Sequence, residues 1–163
     1  MILQLLSKAA KLSLAAVLLP LLGCGSSGTT GSGSGIVPGP APHGGQMFAL
    51  PGDKGFVEIL TDYERIGARK KPGSQSQIVV YFLSPDQTSA LSPAPTSVTA
   101  TIITPEEGEA TTVTLKPQPA SDKDPLSAGR FVSDLGKFDY DEIRGELTIT
   151  LDGDTIKQSF SFR

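Results

Sequence analysis

An all-β fold, an antiparallel sandwich of seven or eight strands, is predicted by three features of the chain beyond residue 45. Short apolar runs recur about every eight to twelve positions with Pro-, Gly- and Asp-containing turns between them. No stretch in this region sustains a helical period. Asp152-Gly153 separates two alternating segments, and this dipeptide suits the positive φ that both central residues of a type I′ hairpin turn need.

Taken in order, residues 46–50 are a first short strand closed by Pro51-Gly52-Asp53-Lys54-Gly55. Residues 56–61 follow, with Val57 and Ile59 on one face and Glu58 on the other. Residues 63–76 carry a basic run and Pro72-Gly73 and are expected as a long loop. Residues 77–84 contain Ile78 to Leu83, apolar on both faces, which predicts a central strand with protein on both sides. A loop with three prolines fills 85–95. Residues 96–104 and 109–116 form a hairpin about the turn at 105–108, with Val98, Ala100 and Ile102 on one side of the first strand and Val113 and Leu115 inward from the second. After a polar loop comes a brief strand at 129–133 centred on Phe131 and Val132, and 134–144 is ambiguous between loop and one helical turn. Residues 146–151 turn Leu147, Ile149 and Leu151 to one face, and 154–162 return with Ile156, Phe160 and Phe162. One core is affordable at this length, and a two-sheet immunoglobulin-like arrangement satisfies it, in architecture only, because the chain has no tryptophan and no second cysteine.

The front of the chain is different. Lys8 and Lys11 precede an apolar run at 12–22 that is too short for a spanning helix, which needs about twenty residues. The run ends in Leu21-Leu22-Gly23-Cys24. This resembles the lipobox of bacterial lipoproteins. The resemblance implies cleavage between Gly23 and Cys24, acylation of the Cys24 thiol with chains such as palmitate, and, with Gly25 rather than Asp next, sorting to the outer membrane of a two-membrane cell envelope. Two or three chains would hold the protein far more firmly than one. Residues 25–45 are Gly, Ser, Thr and Pro except for Ile36, Val37, Ala41 and His43. Such composition predicts a flexible coil that stiffens at its prolines, with a reach of ~25 Å. The expected organisation is a signal at 1–23, a lipidated linker at 24–45 and the sandwich at 46–163.

Removing Lys8 and Lys11 takes the basic side chains from 14 to 12 against 17 acids, a net charge of −5. An acidic chain disfavours nucleic acid. With Cys24 acylated no free thiol remains, and a monomer without cofactor is expected. His43 is the single histidine. It is a weak candidate metal ligand with Met47, too few donors for a tight transition-metal site; otherwise it is an exposed residue at the entrance to the domain. Nucleophilic catalysis would have to recruit that histidine from the edge of a coil, where preorganisation is poor. The acids Asp62/Glu64, Asp122/Asp124, Asp139/Asp141/Glu142 and Asp152/Asp154 sit in turns or loops and follow no calcium-loop pattern. Two features could form a recognition patch. One is the basic cluster Arg69-Lys70-Lys71; the other is Phe138-Asp139-Tyr140-Asp141, if Phe138 and Tyr140 both face outward. The alternative places one ring in the core.

His43-Gly44-Gly45, then Val57-Glu58, Val80-Tyr81-Phe82-Leu83-Ser84 and a final hairpin together resemble small exported bacterial β-proteins with an HGG start. More distantly, they resemble the front segment of periplasmic adaptors of heavy-metal efflux systems. Ser84 stands where those proteins commonly carry Asp. The resemblance implies an exported β-domain, and metal handling only through His43. Two expectations follow: a non-catalytic module that binds an envelope protein or glycan, or an accessory to metal efflux or buffering.

Overall fold

Strand direction and facing follow from the alternation of apolar and polar side chains, which leaves each strand one way to sit on a core. The computed structural model describes residues 35–63, 65–66, 69–71, 74–103, 110–136, 138 and 143–162. Its strands are β1 (Gln46–Ala49), β2 (Phe56–Tyr63), β3 (Arg65–Ile66), β4 (Arg69–Lys70), β5 (Ser76–Leu83), β6 (Ser97–Ile103), β7 (Ala110–Pro117), β8 (Arg130–Val132), β9 (Arg144–Leu151) and β10 (Asp154–Ser161). Two 3-10 turns, Pro51–Asp53 and Pro125–Gly129, are the helical elements among the described residues.

Eight strands join in the order β1-β2-β5-β8-β7-β6-β9-β10, and all seven pairings are antiparallel. The ladder joining the halves β1-β2-β5-β8 and β7-β6-β9-β10 is short, with the pairs Lys116↔Val132 and Pro117↔Phe131. At the other side the free edges approach: the Gln46 side chain donates to the Ser161 carbonyl at 2.6 Å. Nearby, Lys54 lies 3.4 and 3.5 Å from Asp152 and Asp154. The result is a nearly closed all-β sandwich.

The main core lies between the halves. Val57, Ile59, Val80 and Phe82 from one face Val98, Leu147 and Ile149 from the other, and the Phe82 and Phe131 rings meet edge to face at 5.4 Å. β5 is buried on both sides, as its unbroken apolar run predicts. The last hairpin also follows the sequence, with Leu151 opposite Asp154 and φ of 54° at Asp152 and 85° at Gly153, the positive pair a type I′ turn requires. β6 and β7 pair as expected; their turn at 105–108 lies outside the described residues.

Three places differ from the sequence reading. The segment expected as a long loop between β2 and β5 carries the two-residue ladder Arg65↔Lys70 and Ile66↔Arg69. β2 and β5 stay paired as far as Tyr63↔Ser76, which brings the outgoing and returning chain side by side. Four residues without apolar alternation gave no signal of this. Secondly, two points of the stretch grouped by composition with the linker are tied to the domain: Ile36 packs on a second apolar cluster and its N–H donates to Asp53 at 3.3 Å, and the N–H groups of His43 and Gly45 donate to Glu58. Lastly, the ambiguous stretch at 134–144 is anchored rather than helical where it is described. Gly136 and Ser76 exchange two backbone hydrogen bonds, and Phe138 and Ile143 are buried in the main core.

Ser76 is the pin of that stretch. Its hydroxyl donates to the Phe138 carbonyl at 2.7 Å and accepts from the Phe138 N–H at 2.9 Å. Ser76→Ala leaves both buried backbone groups without this partner, and a loss of about 1–3 kcal/mol is expected. Urea unfolding of the full chain reads it; an unchanged midpoint would show that the pin carries no weight.

Candidate functional site

The outer face of β1-β2-β5-β8 is not left to solvent. Phe56, Val79, Leu83 and Val132 form a second buried cluster there, covered in part by Ile36 and by Leu126 of the Pro125–Gly129 turn. Between these apolar rows the strand register lines up Met47, Glu58, Tyr81 and Arg130, one from each strand, opposite one another across the sheet.

Glu58 is wholly buried, with 0% exposure. A carboxylate in that position must find donors, because burying the charge alone is prohibitive. It finds three. The N–H groups of His43 and Gly45 donate to Oε1 at 2.9 and 2.8 Å, and His43 Nδ1 donates to Oε2 at 2.8 Å. The donors sit on the chain just before β1, so His43-Gly44-Gly45 is a clasp that straps the N-terminal segment over the sheet. Gly45 is required by space: a Cβ there would lie 2.5 Å from the Ile59 carbonyl oxygen and 2.9 Å from Glu58 Cγ.

The clasp is locked from above and beside. The His43 ring stacks on Tyr81 with centroids 3.6 Å apart and an interplanar angle of 8°. Its other nitrogen, Nε2, lies 3.4 Å from Asp124 Oδ2, while Asp124 Oδ1 accepts from the Leu126 N–H at 3.0 Å and caps the Pro125–Gly129 turn. Tyr81 holds its proton more tightly than an ordinary tyrosine. Burial is the main cause, the neighbouring Arg130 opposes it, and the charges of Asp124, Glu58 and Asp62 add to it.

No protein-family model, curated protein or solved structure matches this chain.

The site's chemistry therefore rests on its own geometry. His43, expected at an exposed entrance, is instead stacked and doubly paired, with its side chain 20% exposed. As a metal ligand it would have to give up a carboxylate partner, and among the described residues no group of three or more His, Cys, Asp or Glu is placed to hold a metal ion. A nucleophile-activating histidine needs one nitrogen on a carboxylate and the other on a hydroxyl or thiol; here both face carboxylates. Met47 does lie in the row, opposite Glu58.

Of the expected recognition patch, Phe138 is the aromatic that the structure describes. Phe138 is 8% exposed and packs in the main core, so its ring forms no outward surface. Backbone pairing places Arg69 and Lys70 on β4, whereas Tyr140 and Asp141 lie outside the described residues, as do Gly23 and Cys24. Of the paired acids, Asp152 and Asp154 face Lys54, and Asp124 lies against His43 on the outer face. A cleft of about 530 Å³ runs along β10 between Thr155, Lys157 and the Pro51–Asp53 turn, but its two cations are already paired, Lys54 with Asp152 and Asp154 and Lys157 with Glu146.

Sequence reasoning missed Glu58, Tyr81, Asp124 and Arg130. A signal existed for the first. A strand apolar on both faces means that the outer side of the sheet is covered, so an acid on a neighbouring strand facing that way is buried and needs partners.

His43→Ala removes the ring and its bond to a buried carboxylate, and a loss of about 2–3 kcal/mol is expected. Glu58→Ala should cost at least as much, and Glu58→Gln less, because the amide oxygen still accepts the two backbone N–H groups. Gly45→Ala should be as harmful as His43→Ala. Equal urea midpoints for Glu58→Gln and Glu58→Ala would show that the clasp does not depend on an acceptor at this position.

Proposed function

We propose that the protein is a lipid-anchored component of a bacterial envelope whose β-sandwich is a non-catalytic binding module. The observation that carries this reading is Leu21-Leu22-Gly23-Cys24 at the end of a short apolar run with two lysines before it. It is the pattern at which a thiol is acylated and a signal removed. The glycine and serine tract that follows has the composition of a tether, and the domain takes up the chain at Ile36, on the outer face of its first sheet half. Gly25 after the cysteine favours outer-membrane sorting.

The absence of catalysis is argued from His43, whose two nitrogens face two carboxylates, and from acylation of the single thiol. The same two pairings weigh against metal handling, which would need one of those nitrogens as a ligand. A protein or a glycan of the envelope is the partner this reading calls for.

Expression of the full chain with Cys24→Ala should move the protein from the membrane fraction to the soluble fraction. The N-terminal peptide of the wild-type protein should start at Cys24 and carry the mass of its acyl chains. An unmodified cysteine on that peptide would overturn the anchor. For the module, photocrosslinkers placed at Arg69 and Tyr140 in cells should capture one envelope component reproducibly, and capture of none would count against the binding reading.

A further inference from the structure

The ionisable side chains gathered on the outer face differ in one respect. Glu58 accepts three hydrogen bonds. His43 is flanked by two carboxylates, and Asp124 divides its oxygens between Leu126 and His43. Among the described residues Arg130 has no such partner. Its Nε is buried without a hydrogen bond, and among the described residues its guanidinium makes no ion pair. The residue as a whole is only partly covered. A buried guanidinium nitrogen without a partner among the described residues is unusual, since such donors are nearly always satisfied.

We infer that Arg130 receives a single carboxylate group of the ligand that the module binds. This rests on reading the domain as a binding module and specifies the chemistry of what it binds. The guanidinium presents a planar fork that matches a carboxylate with two parallel hydrogen bonds. Charge decides between this and a phosphate. Arg130 lies opposite Tyr81, and the phenol hydroxyl feels the negative charges of Asp124, Glu58 and Asp62. One guanidinium in that field can neutralise a monoanion, whereas a phosphate near −2 would meet repulsion from the nearby acids. Fixed by β8 and by the closing hydrogen bond of its own N–H to Ser127, the Arg130 backbone holds the receptor on a rigid element. Carboxylates of two sources carry this chemistry, a small acid and a polymer of uronic acids.

The test uses the full mature protein in detergent micelles with ¹⁵N-labelled arginine, following the Arg130 Nε–H resonance. Sodium acetate and galacturonate should shift it saturably with millimolar Kd, while sodium chloride at matched ionic strength should not. Inorganic phosphate should bind more weakly than acetate. Polygalacturonate binding tighter per residue than galacturonate identifies a polymeric source, and equal affinity identifies a small one. Arg130→Lys keeps the charge without the fork and should weaken acetate binding about tenfold, read on the Tyr81 ring resonances. Arg130→Gln should abolish it; should that variant not fold, the wild-type titration and Arg130→Lys decide. No saturable shift, the same shift with chloride, or phosphate binding as tightly as acetate would overturn the inference. If crosslinking captures a partner while acetate fails to saturate, the carboxylate assignment falls and the binding module stands. If acetate saturates while no partner is captured, Arg130 keeps its specificity and the envelope reading falls.

Discussion

Glu58 has no access to water, and the arrangement of the outer face follows from that. A buried carboxylate is tolerable only when donors surround it, and β2 cannot supply them, because its own backbone N–H groups are committed to β1 and β5. The donors come from the chain immediately before β1, where two backbone N–H groups and one ring nitrogen converge on the two carboxylate oxygens. Meeting that requirement fixes the path of residues 43–45 and, through them, the way the N-terminal segment crosses the sheet. The strap in turn helps cover Phe56, Val79 and Leu83, which would otherwise be an exposed apolar face. The carboxylate and the apolar cluster therefore support each other: the cluster keeps water from Glu58, and Glu58 holds down part of what covers the cluster.

The clasp also joins segments that are distant in the chain. His43 touches β2 through Glu58, β5 through the Tyr81 ring and the Pro125–Gly129 turn through Asp124. Asp124 both caps that turn and faces the imidazole, so the turn that leads into β8 is positioned by the same ring that positions the strap. One ring nitrogen is hydrogen-bonded to the Glu58 carboxylate, and the other lies 3.4 Å from that of Asp124. In hydrolases a histidine held by a carboxylate turns its second nitrogen to a nucleophile. The difference lies in what occupies the second nitrogen, a carboxylate here and a nucleophile there.

Much of the sandwich was legible because facing is a local property. Val57 and Ile59, Leu147 and Ile149, and the positive-φ pair Asp152-Gly153 each declare themselves within a few residues. The two-sided burial of Ile78 to Leu83 was legible for the same reason. The pairing of β5 with β8 and the brief meeting of β7 and β8 were not, since they join segments about fifty and fifteen residues apart through only three and two residue pairs. The site was less legible still. Composition places His43 at the end of a Gly, Ser and Pro tract, and composition is blind to the fact that the acid it needs lies 15 residues on. Phe138 shows the converse. An aromatic among acids reads as surface, yet Ser76 binds its backbone on both sides and turns the ring into the core.

Glu58 and Arg130 stand in one row across the sheet, with Tyr81 between them, and the fold treats them differently. Opposite charges so placed could have been left to satisfy each other. Instead the acid is closed off by the strap, and Tyr81 keeps the base apart from it, with its ring taken up by His43 on one face. Pairing the acid internally frees the base from that duty, so among the described residues Arg130 is left without an ion pair, in a field that Asp124, Glu58 and Asp62 make negative. In a chain with a net excess of acids, a guanidinium that has no ion pair among the described residues, beside a covered apolar cluster, would be a more selective receptor than a basic patch. Solvated lysines attract any anion at long range and are screened by salt, whereas a partly buried fork discriminates by shape and by charge at contact.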